Sequence, residues 1–135
     1  MVTNTQNNQL SKQRTKEQKR AEDAWKCVST AKGWSDKKEQ KEFRSLAKGA
    51  AADIQINGLG QTLAFWRAKG ENAHIHLFNS ISNWIKTDFG FTQSDLLSWI
   101  RDPQTATDDY RRATVEAIAY LIWIKRFAEA ELPKE

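Results

Sequence analysis

The stretch AIAYLIWIKRFA, residues 117–128, decides the fold class. Its first eight positions are apolar without interruption, and a helical wheel leaves it apolar on nearly every side. That is the pattern of a helix with neighbours all round it, and the stretch reads as the last helix and the buried centre of the molecule. Asp108 and Asp109 stand ahead of it, where carboxylates favour the positive end of a helix. Eight apolar residues fall far short of the roughly 18 to 20 that a membrane span needs, so no membrane partner is expected.

Working back from this helix, Asp102-Pro103 closes a short helix over 93–101, because the residue before a proline disfavours helical backbone, and Thr92 is positioned to cap its start. Leu77, Ile81, Trp84 and Ile85 form the stripe of a helix over 71–88, ending before Asp88-Phe89-Gly90. Leu59, Leu63 and Trp66 mark another over 59–69, between Asn57-Gly58-Leu59-Gly60 and Gly70. Asp36 caps a helix whose stripe is Phe43, Leu46, Ala47 and Ala50 and which extends toward Ile56. The first helix spans 11–32, capped by Ser11, with Ala21, Ala24, Trp25, Val28 and Ala31 on one side. No segment alternates strictly over four to eight residues between turn signals. The expectation is therefore an all-α, compact bundle of about six helices, with a disordered tail at 1–10 and a single domain at 11–131.

Charge is unevenly placed in the 135 residues. The net +4 divides into +6 over residues 1–50 and −2 over 51–135, so a polyanion should meet the first half. The opening MVTNTQNNQL lacks the basic and apolar regions of a secretory signal. The single cysteine, Cys27, excludes an intramolecular disulfide and a multi-cysteine zinc site, and fits a reducing, cytoplasmic setting.

Catalytic constellations are missing from the pattern. His74 and His76 are about 200° apart on a helix and do not converge on one metal. Cys27 lies among lysines that favour its thiolate, yet no His with Asn or Asp marks it as a nucleophile. Gly58-Leu59-Gly60 is not a phosphate loop, since Leu63 replaces the third glycine, a helix precedes it and no GK[ST] follows. Asp53, Asp88, Asp95 and Asp102 are dispersed among caps and turns. These observations point away from an enzyme, with no cofactor, metal or small-molecule substrate implied.

The basic residues carry more information. Lys37, Lys41, Arg44 and Lys48 fall within about 60° of one another on the helical wheel, opposite the apolar stripe of the same helix. Lys12, Lys16, Lys19 and Lys26 repeat the arrangement on the first helix, interrupted by Asp23 and flanked by Arg20. Such ridges match the phosphates of a nucleic-acid strand, although helix-surface lysines are more commonly just solvated and Lys38 is spaced to pair with Glu42. Of the six tryptophans, Trp25, Trp84 and Trp123 lie on apolar stripes and read as core, while Trp34, Trp66 and Trp99 lie near helix ends and read as interface candidates.

Two stretches go further, FRSLAKGAAADIQINGLGQTLAFWRAKG at 43–70 and YRRATVEAIAYLIWIKRFAEAE at 110–131. Ile54-Gln55, Asn57-Gly58-Leu59-Gly60-Gln61, Leu63-Ala64-Phe65 and Lys69 resemble the central signature of the small helical subunit family of the type III-B CRISPR effector, the Cmr complex. Tyr110-Arg111, Glu116-Ala117, Trp123 and Lys125-Arg126-Phe127-Ala128 resemble its C-terminal signature. The chain departs from the family at Ala50-Ala51, where a hydrophobic residue and a proline are usual and would impose a kink.

This resemblance implies a non-catalytic subunit of an RNA-targeting ribonucleoprotein in antiviral defence. It would stack in several copies beside the backbone subunits, with crRNA, target RNA, other Cmr subunits and copies of itself as partners. Base pairing would supply specificity and basic side chains would contact the nucleic-acid backbone. The residues expected there are Lys37, Lys41, Arg44 and Lys48, then Arg67 and Lys69, then Arg111, Arg112 and Arg126, of which Arg112 is also spaced to pair with Glu116. The rival reading is a stand-alone helix-turn-helix DNA-binding protein built on QTLAFWRAKGENAHIHLFNSI, in which Ala68 stands where that motif's glycine belongs.

Overall fold

The computed structural model describes residues 4–134, with side chains over 15–134, and among these it is all-α. Six helices follow in order: α1 (Asn4–Lys32), α2 (Lys37–Asn57), α3 (Leu59–Lys69), α4 (Asn72–Phe89), α5 (Leu96–Arg101) and α6 (Thr107–Glu131). The first helix starts at Asn4 instead of Ser11, ahead of the expected boundary, and the side chain of Ser11 lies outside the described residues.

The connections are short because each carries its own stop signal. Asp36 caps α2 as expected, its carboxylate accepting the Lys38 N–H at 2.8 Å. Gln40 closes the preceding turn from inside, its buried amide nitrogen donating to the carbonyls of Lys32 at 3.3 Å and Trp34 at 2.5 Å. Gly58 serves both as the C-cap of α2 and the N-cap of α3, at φ 86° and ψ 157°, a conformation that a side chain would strain. The helix α2 runs without interruption through Ala50 and Ala51. Asp95, not Thr92, caps the short helix: its carboxylate accepts the Ser98 N–H at 2.8 Å, so α5 begins at Leu96 rather than 93. A buried bond from the Leu96 N–H to Ser82 Oγ at 2.7 Å ties this start to α4.

Two helices share the middle of the bundle: α6, which as expected makes the most extensive contacts, with α1 and α2, and α4. The helix α4 packs against all five others and buries Ala73, Leu77, Phe78, Ile81, Ser82, Trp84 and Ile85. By contrast, α6 packs chiefly on α1, α2 and α4, and its outer side presents Val115, 66% exposed, and Ile122, 50% exposed. Apolarity all round a helix does not by itself fix which side is covered, nor whether this chain or another covers it.

The tryptophans sort differently from their stripes for the same reason. Trp66 and Trp99, expected near an interface, are core residues, and Trp99 stacks on Phe91 with ring centres 5.1 Å apart. Trp25, expected in the core, is 40% exposed and packs edge-on against Phe127 at 5.2 Å. Trp84 is buried as expected, while Trp34 and Trp123 are partly covered.

Candidate nucleic-acid interface

Lys37, Lys41, Arg44 and Lys48 run along one flank of α2, beside its buried stripe of Phe43, Ala47, Ala50 and Ile54, with Lys37 and Lys48 exposed and Lys41 and Arg44 half-buried. Successive members are spaced i, i+4 or i, i+3, so each sits beside a like charge, and each such pair costs a helix about 0.2–0.5 kcal/mol. Lys37 also begins the helix, at the end where the macrodipole disfavours a cation. Asp36 and Glu39 favour the same helix end, yet none of the four cations makes an ion pair within 4.0 Å among the described residues. Lys38 and Glu42, spaced to pair, do not do so either. Lys41, Arg44, Ser45 and Lys48 line a cleft of about 430 Å³ together with Lys134. The helix periodicity that reveals the stripe is silent on Lys134, which lies beyond the end of α6.

The other five expected contacts have acidic partners. Arg67 reaches Asp95 at 3.4 Å and lies over the Phe78 ring at 5.9 Å. Lys69 is 4.0 Å from Glu71. Arg111 pairs with Asp108, Arg112 with Asp109 at 3.3 Å, and Arg126 with Glu129 at 3.5 Å. The predicted pair of Arg112 with Glu116 does not form. Arg112 instead turns toward its own N-terminal turn and lies over Phe89 at 5.4 Å.

Glu116 is taken from the other side. Arg20 of α1 grips it with Nε at 2.6 Å and its second nitrogen at 2.7 Å, Trp84 Nε1 of α4 donates at 3.0 Å, and Lys16 lies at 3.4 Å. Burial alone would raise this carboxyl, but the guanidinium and the indole N–H outweigh it and hold it below the ordinary carboxylate range. Lys16 also pairs with Asp88 at 3.2 Å. One helical turn further on, the Tyr120 hydroxyl donates to Asp23 of α1 at 2.7 Å. The basic ridge expected on α1 is therefore partly consumed inside the fold, and the Lys12 side chain lies outside the described residues.

The signature turn has a structural task as well. Asn57 is exposed at the end of α2, and Leu59 is fully buried. The Gly60 N–H donates to the Tyr110 hydroxyl at 3.0 Å, so the central and C-terminal signature segments meet at one bond between α3 and α6. A Cβ at Gly60 would sit 3.4 Å from that hydroxyl and 3.6 Å from the Ile100 side chain, in ordinary contact with both.

Cys27 and His76 adjoin, with Sγ 3.5 Å from Nε2, inside a ring of Trp34 and Phe43. Burial pushes the thiol up to about 12, opposite to the effect expected from its lysine neighbours, so the sulfur stays protonated at neutral pH. Its neighbour His74 points elsewhere, toward Glu71. Among the described residues no three of His, Cys, Asp and Glu gather as a metal-binding group, and no helix is long and apolar enough to cross a membrane.

The helix-turn-helix reading fails on geometry. Its recognition helix would be α4, which packs against all five other helices and leaves only the narrow stripe of Asn72, Asn79, Asn83 and Thr87 exposed, with no basic side chain among them.

Comparison with known proteins agrees with the residues. The sequence model of a CRISPR-associated protein family, Cas_Cmr5, matches residues 16–131. The CRISPR system Cmr subunit Cmr5 of Thermus thermophilus is 31% identical over 119 residues, covering 87% of this chain and 96% of that protein. The crystal structure of a CRISPR-associated Cmr5 family protein, also from Thermus thermophilus, superposes with a TM-score of 0.69 at 28% identity, covering 87% of this chain and 96% of that one. A family match across nearly the whole bundle, joined to a fold that the same sequence signatures hold together, makes this chain a member of the Cmr5 family.

Proposed function

We propose that this chain serves as a non-catalytic small subunit of a Cmr-type, type III-B CRISPR ribonucleoprotein, assembling with other Cmr subunits and with copies of itself. Its basic side chains contact the backbone of crRNA and target RNA in the cytoplasm, and base pairing supplies specificity. The observation that carries the RNA-facing part is the row Lys37, Lys41, Arg44 and Lys48, four neighbouring cations with no acidic partner among the described residues. The carboxylates interspersed on α2 do not pair with the row, Glu39 being engaged by Asn72 at 2.7 Å, whereas on α6 Asp108, Asp109 and Glu129 each hold an arginine. Arg67, Lys69, Arg111, Arg112 and Arg126 join as exchangeable contacts, because exposed ion pairs are worth only about 0–1 kcal/mol and a phosphate can replace the carboxylate. Ile56, Phe65, Val115 and Ile122, all large and exposed, supply apolar surface for neighbouring subunits. Cys27 is buried, and burial pushes its thiol up, which fits a subunit that leaves cleavage to others.

Lys41→Glu combined with Lys48→Glu tests the reading. RNA-guided interference should fall without sequence preference, and less RNA should accompany the complex on purification from its native cells. Full interference and undiminished RNA would make the row a solvated face. A particle of the wild-type chain's own size, free of RNA and of other proteins, would remove the assembly assignment.

A further inference from the structure

We propose that Lys134 is a further nucleic-acid-binding residue, and that the segment after α6 forms with α2 a two-walled cleft for backbone phosphate. The inference rests on the reading of α2 as RNA-facing and adds a second wall to that site.

The second wall is fixed by local chemistry. Leu132 precedes Pro133, and a residue before proline is driven out of helical backbone. It sits at φ −105° and ψ 153°, which ends α6. The chain's exit is then pinned three ways: the Leu132 N–H donates to the Ala128 carbonyl at 3.0 Å, the Leu132 side chain is buried, and Lys32 Nζ holds Glu131 at 2.9 Å. Because α6 packs along α2, a chain leaving at this point passes beside the basic face and delivers Lys134 to the cleft with Lys41, Arg44 and Lys48.

The lining chemistry selects phosphate. Four cations and the Ser45 hydroxyl line the cleft, and among the described residues no carboxylate does. Arg44 Nε is buried without a hydrogen-bond partner among the described residues, so its guanidinium retains unmet donor capacity. A phosphodiester entering here meets donors from two elements instead of one row. Both elements are anchored before it arrives, so little ordering remains for binding to impose. Lys134 is exposed and makes no ion pair within 4.0 Å among the described residues, so replacing it removes a charge without removing a fold contact.

The test is fluorescence anisotropy of a labelled single-stranded RNA against the full chain across a salt series. It compares the wild type, Lys134→Ala, Lys134→Arg and the double variant Lys41→Glu with Lys48→Glu. For Lys134→Ala the expected result is roughly three- to tenfold weaker binding at moderate salt and a salt slope lower by about 0.7, the share of one single-strand phosphate contact, with Lys134→Arg restoring both. Double-variant binding that collapses while Lys134→Ala matches the wild type within twofold overturns the two-walled cleft and leaves the α2 reading standing. Binding that no variant changes, or no wild-type binding even at low salt, overturns both. An acidic peptide that competes as well as RNA of equal charge would overturn the assignment to phosphate.

Discussion

Around Glu116, Lys16 and Arg20 of α1 meet a buried carboxylate, an indole N–H and Asp88, whereas on α2 Lys41, Arg44 and Lys48 meet one another and Lys134. Both groups look alike in the sequence: lysines and an arginine at helical spacing on the basic half of the chain. The first is closed on itself and holds α1 against α6. The second is open, and its charges repel. A cation's role thus depends on what stands across from it, and that is set by which helices pack.

The comparison would break first at Glu116. Glu116→Gln leaves Arg20 without its counter-charge, and breaking a mostly buried pair costs about 3 kcal/mol or more, which for a domain of this size lowers the melting temperature by roughly 10 °C. Thermal denaturation checks this, and an unchanged midpoint would put the Glu116 cluster in the same class as the α2 row. The pH dependence has a fixed sign. The folded carboxyl lies below its unfolded value of about 4.3, so its stabilisation is present above that pH and fades as pH falls through the folded value. Acid unfolding curves of wild type and Glu116→Gln should therefore converge at low pH.

The hinge between α2 and α3 gives the next largest effect. Gly58→Ala forces a side chain onto φ 86° and should cost about 2 kcal/mol in urea unfolding, with helix content unchanged in the remaining folded state. Tyr110→Phe leaves the Gly60 N–H without its acceptor and should cost about 1 kcal/mol, measurable as a shifted urea midpoint at constant slope. Loss well beyond that would mean that the bond between the two signatures holds the whole α3–α6 contact.

The smallest expected stability change sharpens the contrast from the other side. Lys41→Gln with Lys48→Gln should alter stability by no more than about 0.5 kcal/mol, since it relieves repulsion and removes no pair, while RNA binding weakens. Calorimetry and anisotropy on the same preparation separate the two. A large loss of stability would show that the α2 row is as structural as the Glu116 cluster.

Much of this protein was legible in its residues before any tertiary contact was known. The six helices follow from local rules: Asp36 caps α2, the glycines at 58, 70 and 90 take positive φ at helix ends, and apolar stripes recur at helical period. The basic row on α2 was legible too, because neighbours on one helix face are fixed by 3.6-residue periodicity. The family signatures at Asn57-Gly58-Leu59-Gly60 and Tyr110-Arg111 were readable in one dimension. What they do for the fold, a hydrogen bond between Gly60 and Tyr110, was not, because the partners are 50 residues apart.

Tertiary structure alone decided the rest. Sequence periodicity gives a face but not its neighbour, so α6 read as covered on every side although Val115 and Ile122 are exposed, and Trp25 and Trp66 exchanged their expected surroundings. Long-range pairing likewise drew Glu116 away from Arg112 to Arg20, 96 residues distant, and carried Lys134 past the end of α6 to the cleft of α2. Local backbone preferences and helical period are encoded residue by residue. The partner of a buried charge or an aromatic ring is chosen by how whole helices pack, where the cost of leaving a polar group unmatched or an apolar one wet is settled for all six together.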